Sequence, residues 1–256
     1  MILSPDRVRE ILASTGAVIE GHFVGTSGKH LSLYVAKDRA TRLTSVSFEL
    51  CLEIARRFAQ EDVDVVVAPA VGAIALSQWT AYHLSQLRPD RPEVLALYSE
   101  HLETIEAQCE PGSKPVVIKL PWHKHDDATD VLRLFPGEKL VVVKTSFVLK
   151  RGFAADVKGK RVLAVEDTLT TGLSARGTAD AIKAAGGILV GVGALVEGGG
   201  VTADDLGVFR LESLLRVKRQ IFTREECADH GLCRAGVPIN TQFGHGAAFL
   251  AEQGKS

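Results

Sequence analysis

Two adjacent acidic residues followed by a loop rich in threonine and glycine form the segment with the clearest chemical potential. The apolar run at residues 162–165 predicts a buried strand, and the helical period from about Ser174 predicts a helix that ends at Gly186. A loop between a parallel strand and a helix N-terminus offers free amides and a favourable dipole to a phosphate. The residues assigned to this sugar phosphate site are Glu166, Asp167, Thr168, Leu169, Thr170, Thr171, Gly172, Leu173 and Ser174.

The residue types in this segment suit two different parts of a sugar phosphate. In residues 168–174, here called the phosphate loop, the hydroxyls add donors and Gly172 lets the backbone close around an anion. Glu166 and Asp167 are badly placed to bind a phosphate directly, but they suit a pair of sugar hydroxyls. The alternative is an ordinary strand, loop and helix with a threonine-rich cap and solvated acids. The acid pair, with Thr-Thr-Gly at its fixed offset, favours the sugar phosphate site.

Strands and helices alternate along most of the chain, and this alternation predicts the scaffold. The continuous apolar run at residues 63–68 is typical of a parallel strand that is buried on both faces. Further short strands are predicted at 93–98, 140–144, 161–165 and 188–196. Helices are predicted from Ser4 to near Gly16, at 45–60 and at 73–84. The predicted fold class is therefore α/β, with a parallel sheet flanked by helices on both faces.

The whole chain, 1–256, is predicted to form a single domain with three additions. An N-terminal hood segment, 1–44, contains short alternating runs between turns, as expected of strands that cover one edge of a domain. Residues 101–138 are rich in proline and have little helical period, which indicates a β-rich insertion or lid. A loop-rich C-terminal tail follows from residue 202 to 256.

Composition restricts the partners and the compartment. The chain has 30 Lys and Arg against 31 Asp and Glu, so no global field recruits nucleic acid or an anionic membrane. No apolar run approaches the roughly 20 residues of a membrane-spanning helix, and the N-terminus lacks the apolar centre of a secretory signal. The four cysteines are too few and too scattered for a disulfide framework. These features predict a soluble, cytoplasmic protein with reduced thiols.

The sequence VLAVEDTLTTGLS at residues 162–174 resembles the signature with which type I phosphoribosyltransferases bind phosphoribosyl pyrophosphate (PRPP). In that signature, four apolar residues precede two acids and a Thr-Thr-Gly loop. The resemblance implies the fold of that family, with Glu166 and Asp167 on the ribose hydroxyls and the phosphate loop around the 5-phosphate. It also implies a Mg²⁺ ion held mainly by the substrate, in keeping with magnesium's preference for phosphate oxygens and water.

Two further segments are similar to the orotate branch of that family. Residues 21–42 contain Thr-Ser-Gly-Lys-His and Tyr-x-x-Lys-Asp elements like those of orotate phosphoribosyltransferases, and residues 65–77 resemble the family's pyrophosphate loop. This resemblance implies a homodimer in which the hood covers the base. The implied base-binding residues are Phe23, Lys29, Tyr34 and Lys37. The implied pyrophosphate loop comprises Pro69, Ala70, Val71 and Gly72.

The stretch before the phosphate-binding strand departs from the orotate enzymes. Those enzymes usually carry a loop with several lysines, an arginine and a histidine, which closes over the pyrophosphate. The corresponding stretch, residues 147–160, is short, and its two adjacent cations are Lys150 and Arg151. Together with Asp167 they are the predicted catalytic residues. A solvated strand end is the alternative role for the two cations.

A second departure follows the helix after the phosphate loop. The next strand commonly finishes in Asp-Arg, whose guanidinium can pair with the orotate carboxylate in a bidentate manner. Here Glu197 and Gly198 stand in those places, so the usual carboxylate clamp is absent. Ala73 also replaces a usual glycine in the pyrophosphate turn, a smaller change.

These features predict transfer of the phosphoribosyl group from PRPP to a nitrogenous base, orotate-type by resemblance, with release of pyrophosphate. A protein that has lost turnover and senses PRPP or a nucleotide is the alternative from another functional class. A transferase for another base, such as a purine, would use the same loop with a different hood.

Two further groups of potential metal-ligating side chains give weaker signals. In the WHKHDD stretch at residues 122–127, His123, His125, Asp126 and Asp127 could bind a metal or a phosphate, but alternating histidines on an exposed hairpin favour solvated side chains. Cys227, His230 and Cys233 offer three soft ligands at tight spacing, but the absence of a second cysteine pair favours buried thiols over structural zinc. We therefore predict no protein-held metal. A distant fourth ligand could come from Cys109 or His245.

Overall fold

The computed structural model describes residues 3–25, 28–102, 107–119, 131–140 and 146–253. The strands are β1 (Val18–Val24), β2 (His30–Val35), β3 (Val65–Pro69), β4 (Leu95–Leu102), β5 (Ala107–Gln108), β6 (Val116–Lys119), β7 (Val131–Leu134), β8 (Lys139–Leu140), β9 (Ser146–Val148), β10 (Arg161–Leu169), β11 (Ile188–Glu197), β12 (Leu211–Arg216) and β13 (Ile221–Phe222). The helices are α1 (Pro5–Ser14), α2 (Lys37–Thr41), α3 (Thr44–Arg57), α4 (Ile74–Leu87), α5 (Phe153–Val157), α6 (Leu173–Ala184), α7 (Arg224–His230) and α8 (Gly246–Gln253). None of these described helices is long and apolar enough to cross a membrane.

Six strands form the central sheet, in the order β12-β11-β10-β3-β4-β9. Every neighbouring pair is parallel except β4 and β9, which are antiparallel. The predicted parallel α/β architecture is confirmed, and an antiparallel strand closes one edge. The carboxyl ends of β3, β10 and β11 lie side by side, at the edge where parallel sheets bind ligands.

The burial of β3 explains why its sequence is an unbroken apolar run. All five are buried, and successive side chains point to opposite faces of the sheet. Val66 and Ala68 join a core with α1, α3 and α4, whereas Val65 and Val67 join a second core with α5 and α6. Helices therefore cover both faces, as the sequence predicts.

A second, antiparallel sheet, here called the hood sheet, consists of β1, β2 and β13. Its third strand comes from the C-terminal part of the chain, directly after β12 leaves the central sheet. The amide of Ser32 donates to the carbonyl of Gln220, and the amide of Gln220 donates back to the Ser32 hydroxyl. The hood sheet thus draws on residues from both ends of the chain.

Strand ends are where the structure differs from the sequence prediction. β10 continues through the acid pair to Leu169, because its ladder with β11 extends to the Leu169 and Glu197 pair. β4 begins later than predicted and runs to Leu102. Most of the predicted strand at 140–144 lies outside the described residues. Within that range, the structure describes residue 140, which is the last residue of β8.

The described parts of the predicted insertion consist of short strands. β5 pairs with β8 and β6 pairs with β7, both antiparallel, which agrees with the predicted β-rich character. The WHKHDD stretch, 122–127, lies outside the described residues.

Candidate active site

The phosphate loop lies at the middle of the carboxyl edge, because β10 is flanked by β3 and β11. Its turn depends on Gly172, which has a left-handed φ of 74°. A Cβ at this position would lie 2.7 Å from Cδ2 of Leu206, so neither the conformation nor the space suits another residue. α6 begins at Leu173, and its first amides are therefore free to face an anion.

The hydroxyl of Thr168 is buried and has no hydrogen-bond partner within the described chain. Buried polar atoms nearly always have a partner, so this hydroxyl near the end of β10 is available to a ligand oxygen. Thr170, Thr171 and Ser174 are exposed and add further hydroxyls. The loop therefore offers both amides and hydroxyls to a phosphate group.

Asp167 joins three predicted parts of the site. Its carboxylate forms a close ion pair with the ammonium of Lys37, the first residue of α2. A Cβ on Gly72 would lie 2.7 Å from Nζ of Lys37 and 2.8 Å from Oδ2 of Asp167. The acid pair, the predicted pyrophosphate turn and a lysine of the hood segment thus meet at one point. Only glycine leaves room there for the ion pair.

Burial dominates the electrostatics of the acid pair. It raises the pKa of Glu166 to about 8, with a smaller contribution from the charge of Asp167. Burial also raises the pKa of Asp167, although Lys37 opposes this shift. Burial acts to lower the pKa of Lys37, but the charge of Asp167 and its hydrogen bond outweigh burial and raise it. At neutral pH Glu166 therefore holds a proton in the ligand-free protein.

The predicted pyrophosphate turn follows β3 directly. Pro69 is the last, buried residue of that strand, and the amide of Ala70 donates to the carbonyl of Ser99 on β4. Val71 and Gly72 are exposed, and the Ala70–Val71 peptide bond is cis. The exposed turn leaves its backbone accessible to a ligand beside Asp167.

Glu197 orders the loop after β11. Its Oε1 accepts hydrogen bonds from the amides of Gly199, Gly200 and Val201. A Cβ on Gly199 would lie 1.6 Å from the carbonyl oxygen of Thr170, so this glycine packs backbone to backbone against the phosphate loop. The Glu-Gly-Gly-Gly segment, residues 197–200, therefore packs against the backbone of the phosphate loop.

Arg219 is a candidate site residue that sequence reasoning missed. It lies between β12 and β13, where the chain passes from the central sheet to the hood sheet, and a Cβ on Gly198 would be 3.5 Å from its Cζ. Its Nε and Nη2 are buried without a hydrogen-bond partner in the described ranges. Burial lowers the pKa of Arg219, while the charge of Glu197 opposes the shift. A buried guanidinium whose N–H groups lack hydrogen-bond partners favours the binding of an anion.

Lys150 and Arg151 lie at the outer edge of the central sheet, just after β9. Their side chains are 3.2 Å and 2.8 Å from the carboxylate of Glu100 on β4. The guanidinium of Arg151 also lies over the ring of Tyr98, 5.9 Å from its centroid. The ion-pair partner of both predicted cations therefore belongs to β4 rather than to the phosphate loop.

The predicted base-binding residues differ in exposure. Phe23 is fully buried and packs against Tyr34, with ring centroids 5.4 Å apart. Tyr34 also contacts Phe243 from the C-terminal segment, at 5.7 Å between centroids. Lys29 is exposed next to β2, whereas Lys37 reaches Asp167. Phe23 therefore acts as a packing residue that supports Tyr34.

The chain is similar in sequence to curated orotate phosphoribosyltransferases. The chain is 30% identical over 236 residues to the orotate phosphoribosyltransferase of Pelotomaculum thermopropionicum, covering 92% of this chain and 95% of that protein. It is 30% identical over 231 residues to that of Thermotoga maritima, covering 90% and 94%. A solved orotate phosphoribosyltransferase from Aeropyrum pernix is 22% identical with a TM-score of 0.48, covering 90% and 98%. No family model matches the chain.

The fold and the site define an α/β protein with a loop rich in threonine and glycine and an acid pair at the carboxyl edge of its sheet. With the relatives above, the chain belongs to the type I phosphoribosyltransferase family.

Proposed function

We propose that this protein transfers the phosphoribosyl group of PRPP to orotate and releases pyrophosphate. The meeting of Asp167, Lys37 and Gly72 beside the phosphate loop is the observation that carries the proposal. A carboxylate, a cation and an open turn at the ends of parallel strands match the ribose and pyrophosphate parts of PRPP. The names of the relatives that match 90% or more of this chain support orotate as the acceptor.

The residues divide the binding of PRPP as follows. The phosphate loop binds the 5-phosphate through amides and hydroxyls, and the buried Thr168 hydroxyl gains its missing partner. Asp167 accepts a hydrogen bond from a ribose hydroxyl, which frees the Lys37 ammonium for the pyrophosphate beside Gly72. Glu166, protonated, can donate to the ribose as well as accept. Displacement at C1 passes through an oxocarbenium-like state, so positioning and charge stabilisation supply the catalysis.

Mg²⁺ belongs to this proposal as an ion held mainly by PRPP. The oxygen donors of Asp167 and Thr168 are of the type that magnesium prefers, and Asp167 is the protein group that would face it. When bound, the ion neutralises charge on the pyrophosphate. The protein's own part is to hold the ribose and keep Lys37 close to the leaving group.

Arg219 supports an acceptor that carries a carboxylate. The family's usual arginine would follow the strand end at Glu197, where this chain has Gly198. A Cβ on Gly198 would lie 2.9 Å from Cγ2 of Val217 and 3.5 Å from Cζ of Arg219, so the guanidinium of Arg219 lies close to the position of the missing arginine. A planar guanidinium pairs with a carboxylate in a bidentate manner, which orotate offers and adenine does not.

Replacing Arg219 tests this assignment. We expect Arg219→Lys to raise the KM for orotate about 10- to 100-fold, because a charged hydrogen bond contributes about 1.5–3 kcal/mol, with little change in the KM for PRPP. Steady-state kinetics with each substrate varied in turn measures both constants. Arg216→Gln, an exposed change on β12, serves as the control. An equal rise in both KM values would show that Arg219 supports the fold and not the acceptor.

Pyrophosphate release tests the activity itself. Purified protein is incubated with PRPP, Mg²⁺ and one base at a time from a panel of orotate, uracil, adenine, guanine and hypoxanthine. Release with orotate alone supports the proposal. Release with a purine instead assigns the third predicted function and overturns orotate as the acceptor.

One observation favours the sensor as a second candidate. Both cations of the short loop, Lys150 and Arg151, are engaged by Glu100, whereas the PRPP site keeps its acids and its loop. Tight PRPP binding by calorimetry with no pyrophosphate released from any base would identify a sensor. We propose that in the enzyme these exposed ion pairs exchange readily, so that the two cations reach the pyrophosphate during turnover.

The remaining assignments belong to the same proposal. We include a single domain over 1–256 with the hood, insertion and tail at the predicted bounds, a homodimer, and a cytoplasmic location. None of the four cysteines forms a disulfide, which is compatible with that location. Size-exclusion chromatography with light scattering measures the subunit count.

A further inference from the structure

Four side chains of metal-ligating type meet between the hood sheet and the C-terminal segment. They are His22 on β1, His30 on β2, Cys227 in α7 and Cys233 in the loop after α7. Their ligand atoms all lie within 4.8 Å of one another, and the first three residues are buried. His230, which the sequence groups with the two cysteines, lies apart with its ring against Phe222.

The distances in this cluster fit a small tetrahedral ion. Zinc bonds of about 2.0–2.1 Å to nitrogen and about 2.3 Å to sulfur set the two kinds of ligand about 3.6 Å apart. Nε2 of His22 is 3.7 Å from Sγ of Cys227 and 3.9 Å from Sγ of Cys233, and Nδ1 of His30 is 3.6 Å from Sγ of Cys233. The two imidazole nitrogens are 2.6 Å apart, so an ion would separate them to about 3.3 Å.

The surroundings orient these ligands towards one point. Nδ1 of His22 lies 2.8 Å from the carbonyl of Val237, to which it can donate, and this leaves the lone pair of Nε2 facing the cysteines. The amide of Cys233 donates to Sγ of Cys227 at 3.2 Å, which keeps the two cysteines close together. A Cβ on Gly231 would lie 2.8 Å from Cα of Cys227, so glycine allows the tight return between the two cysteines.

We propose that His22, His30, Cys227 and Cys233 bind a zinc ion as a closed structural site. Two imidazoles and two thiolates in a tetrahedral arrangement are a donor set that zinc favours, and four protein ligands leave no open position for catalysis. The site is separate from the Mg²⁺ of the transfer reaction, which takes oxygen ligands. It does not depend on the proposed function.

The ion would fasten the hood sheet to the end of the chain. His22 directly precedes Phe23, and His30 directly follows Lys29, so the two histidines bracket the turn of the β1–β2 hairpin. Both cysteines come after β13, the third strand of the same sheet. A bond network across these segments holds the hairpin, and Tyr34 with it, against the C-terminal segment, because β1 and β2 pair on both sides of the register shift between Glu20 and Phe23.

Metal analysis of the purified protein tests the site directly. We expect about one zinc ion per chain by inductively coupled plasma mass spectrometry for the wild type and for His230→Gln. Cys227→Ser and Cys233→Ser should retain less than about a tenth of that amount, since a lost thiolate opens the closed site. His230→Gln is the matched control because it removes a metal-binding side chain from the same short motif. Equal zinc in all four proteins would overturn the assignment.

Cobalt gives a readout that does not depend on how well the variants fold. Wild-type protein stripped of metal under reducing conditions is titrated with Co²⁺. Tetrahedral coordination with thiolates predicts intense visible bands and a sulfur-to-cobalt charge-transfer band, both of which zinc then removes. A weak, octahedral-type spectrum, or no zinc in the untreated protein and no saturable binding, would refute the site. Neither result bears on pyrophosphate release.

Discussion

Asp167→Asn is expected to weaken PRPP binding about 10- to 100-fold and to lower kcat/KM by at least as much. The change removes a charged acceptor that hydrogen bonds to the ribose, and such bonds contribute about 1.5–3 kcal/mol. It also removes the counter-charge that holds Lys37 beside Gly72. Isothermal titration calorimetry with PRPP and Mg²⁺ measures the affinity, and the pyrophosphate assay measures the rate.

Companion variants separate this effect from general damage. Asp180→Asn, on the exposed face of α6, makes the same chemical change outside the site and should leave both measurements unaltered. Gly172→Val strains a left-handed position and clashes with Leu206, so it should weaken PRPP binding by a different route. If Asp167→Asn combined with Gly172→Val bound PRPP as tightly as the wild type, the assignment of the phosphate loop would be wrong.

Glu166→Gln is expected to stabilise the ligand-free protein at alkaline pH. Burial raises the pKa of Glu166 to about 8, far above that of an exposed glutamate. Between the unfolded and folded pKa values the native state binds the extra proton, so the free energy of unfolding falls as pH rises, by up to about 1.4 kcal/mol per pH unit. Below the pKa of Glu166 in the unfolded state, both the native and the unfolded protein are protonated at this residue. Glu166 then makes no contribution to the pH dependence of stability. The neutral amide lacks this penalty, which predicts a gain of up to about 4 kcal/mol at pH 8.

Urea unfolding at a series of pH values from 5 to about 9 tests this prediction. The pKa of Asp167 is raised in the same direction and both proteins retain this residue, so the pH dependence that differs between them arises from Glu166 and from its interaction with Asp167. Glu252→Gln, an exposed change in α8, should follow the wild-type curve. Parallel curves for Glu166→Gln and the wild type would mean that Glu166 is already ionised at neutral pH.

The phosphate loop and the acid pair were predictable because their signal is local. A buried strand, two acids, a Thr-Thr-Gly turn and a helix start follow one another within residues 162–174, and the parallel sheet fixes where such a turn must lie. The same holds for β3, whose apolar run reports burial on both faces. The end of β10 was misjudged because acids are rare in buried strands, whereas pairing with β11 carries the strand past them.

The parts that were missed depend on contacts between distant segments. Lys37 was assigned to the base, but folding brings it to Asp167 across a separation of 130 residues. Arg219 is one of several cations in its stretch, and only the packing against Gly198 distinguishes it. His22 and Cys227 are 205 residues apart, so no spacing rule could have joined them. Local spacing identifies a loop, but it does not identify a cluster assembled from both ends of the chain.

The origin of β13 has a consequence for how the protein is made. A ribosome delivers β1 and β2 early, but the strand that pairs with β2 emerges only after the whole central sheet has been synthesised. Until then, the outer edge of β2 presents unpaired amides and carbonyls, which are a template for pairing with another nascent chain. Premature termination anywhere before residue 221 would leave that edge open permanently, so truncated products should aggregate even when their central strands are all present.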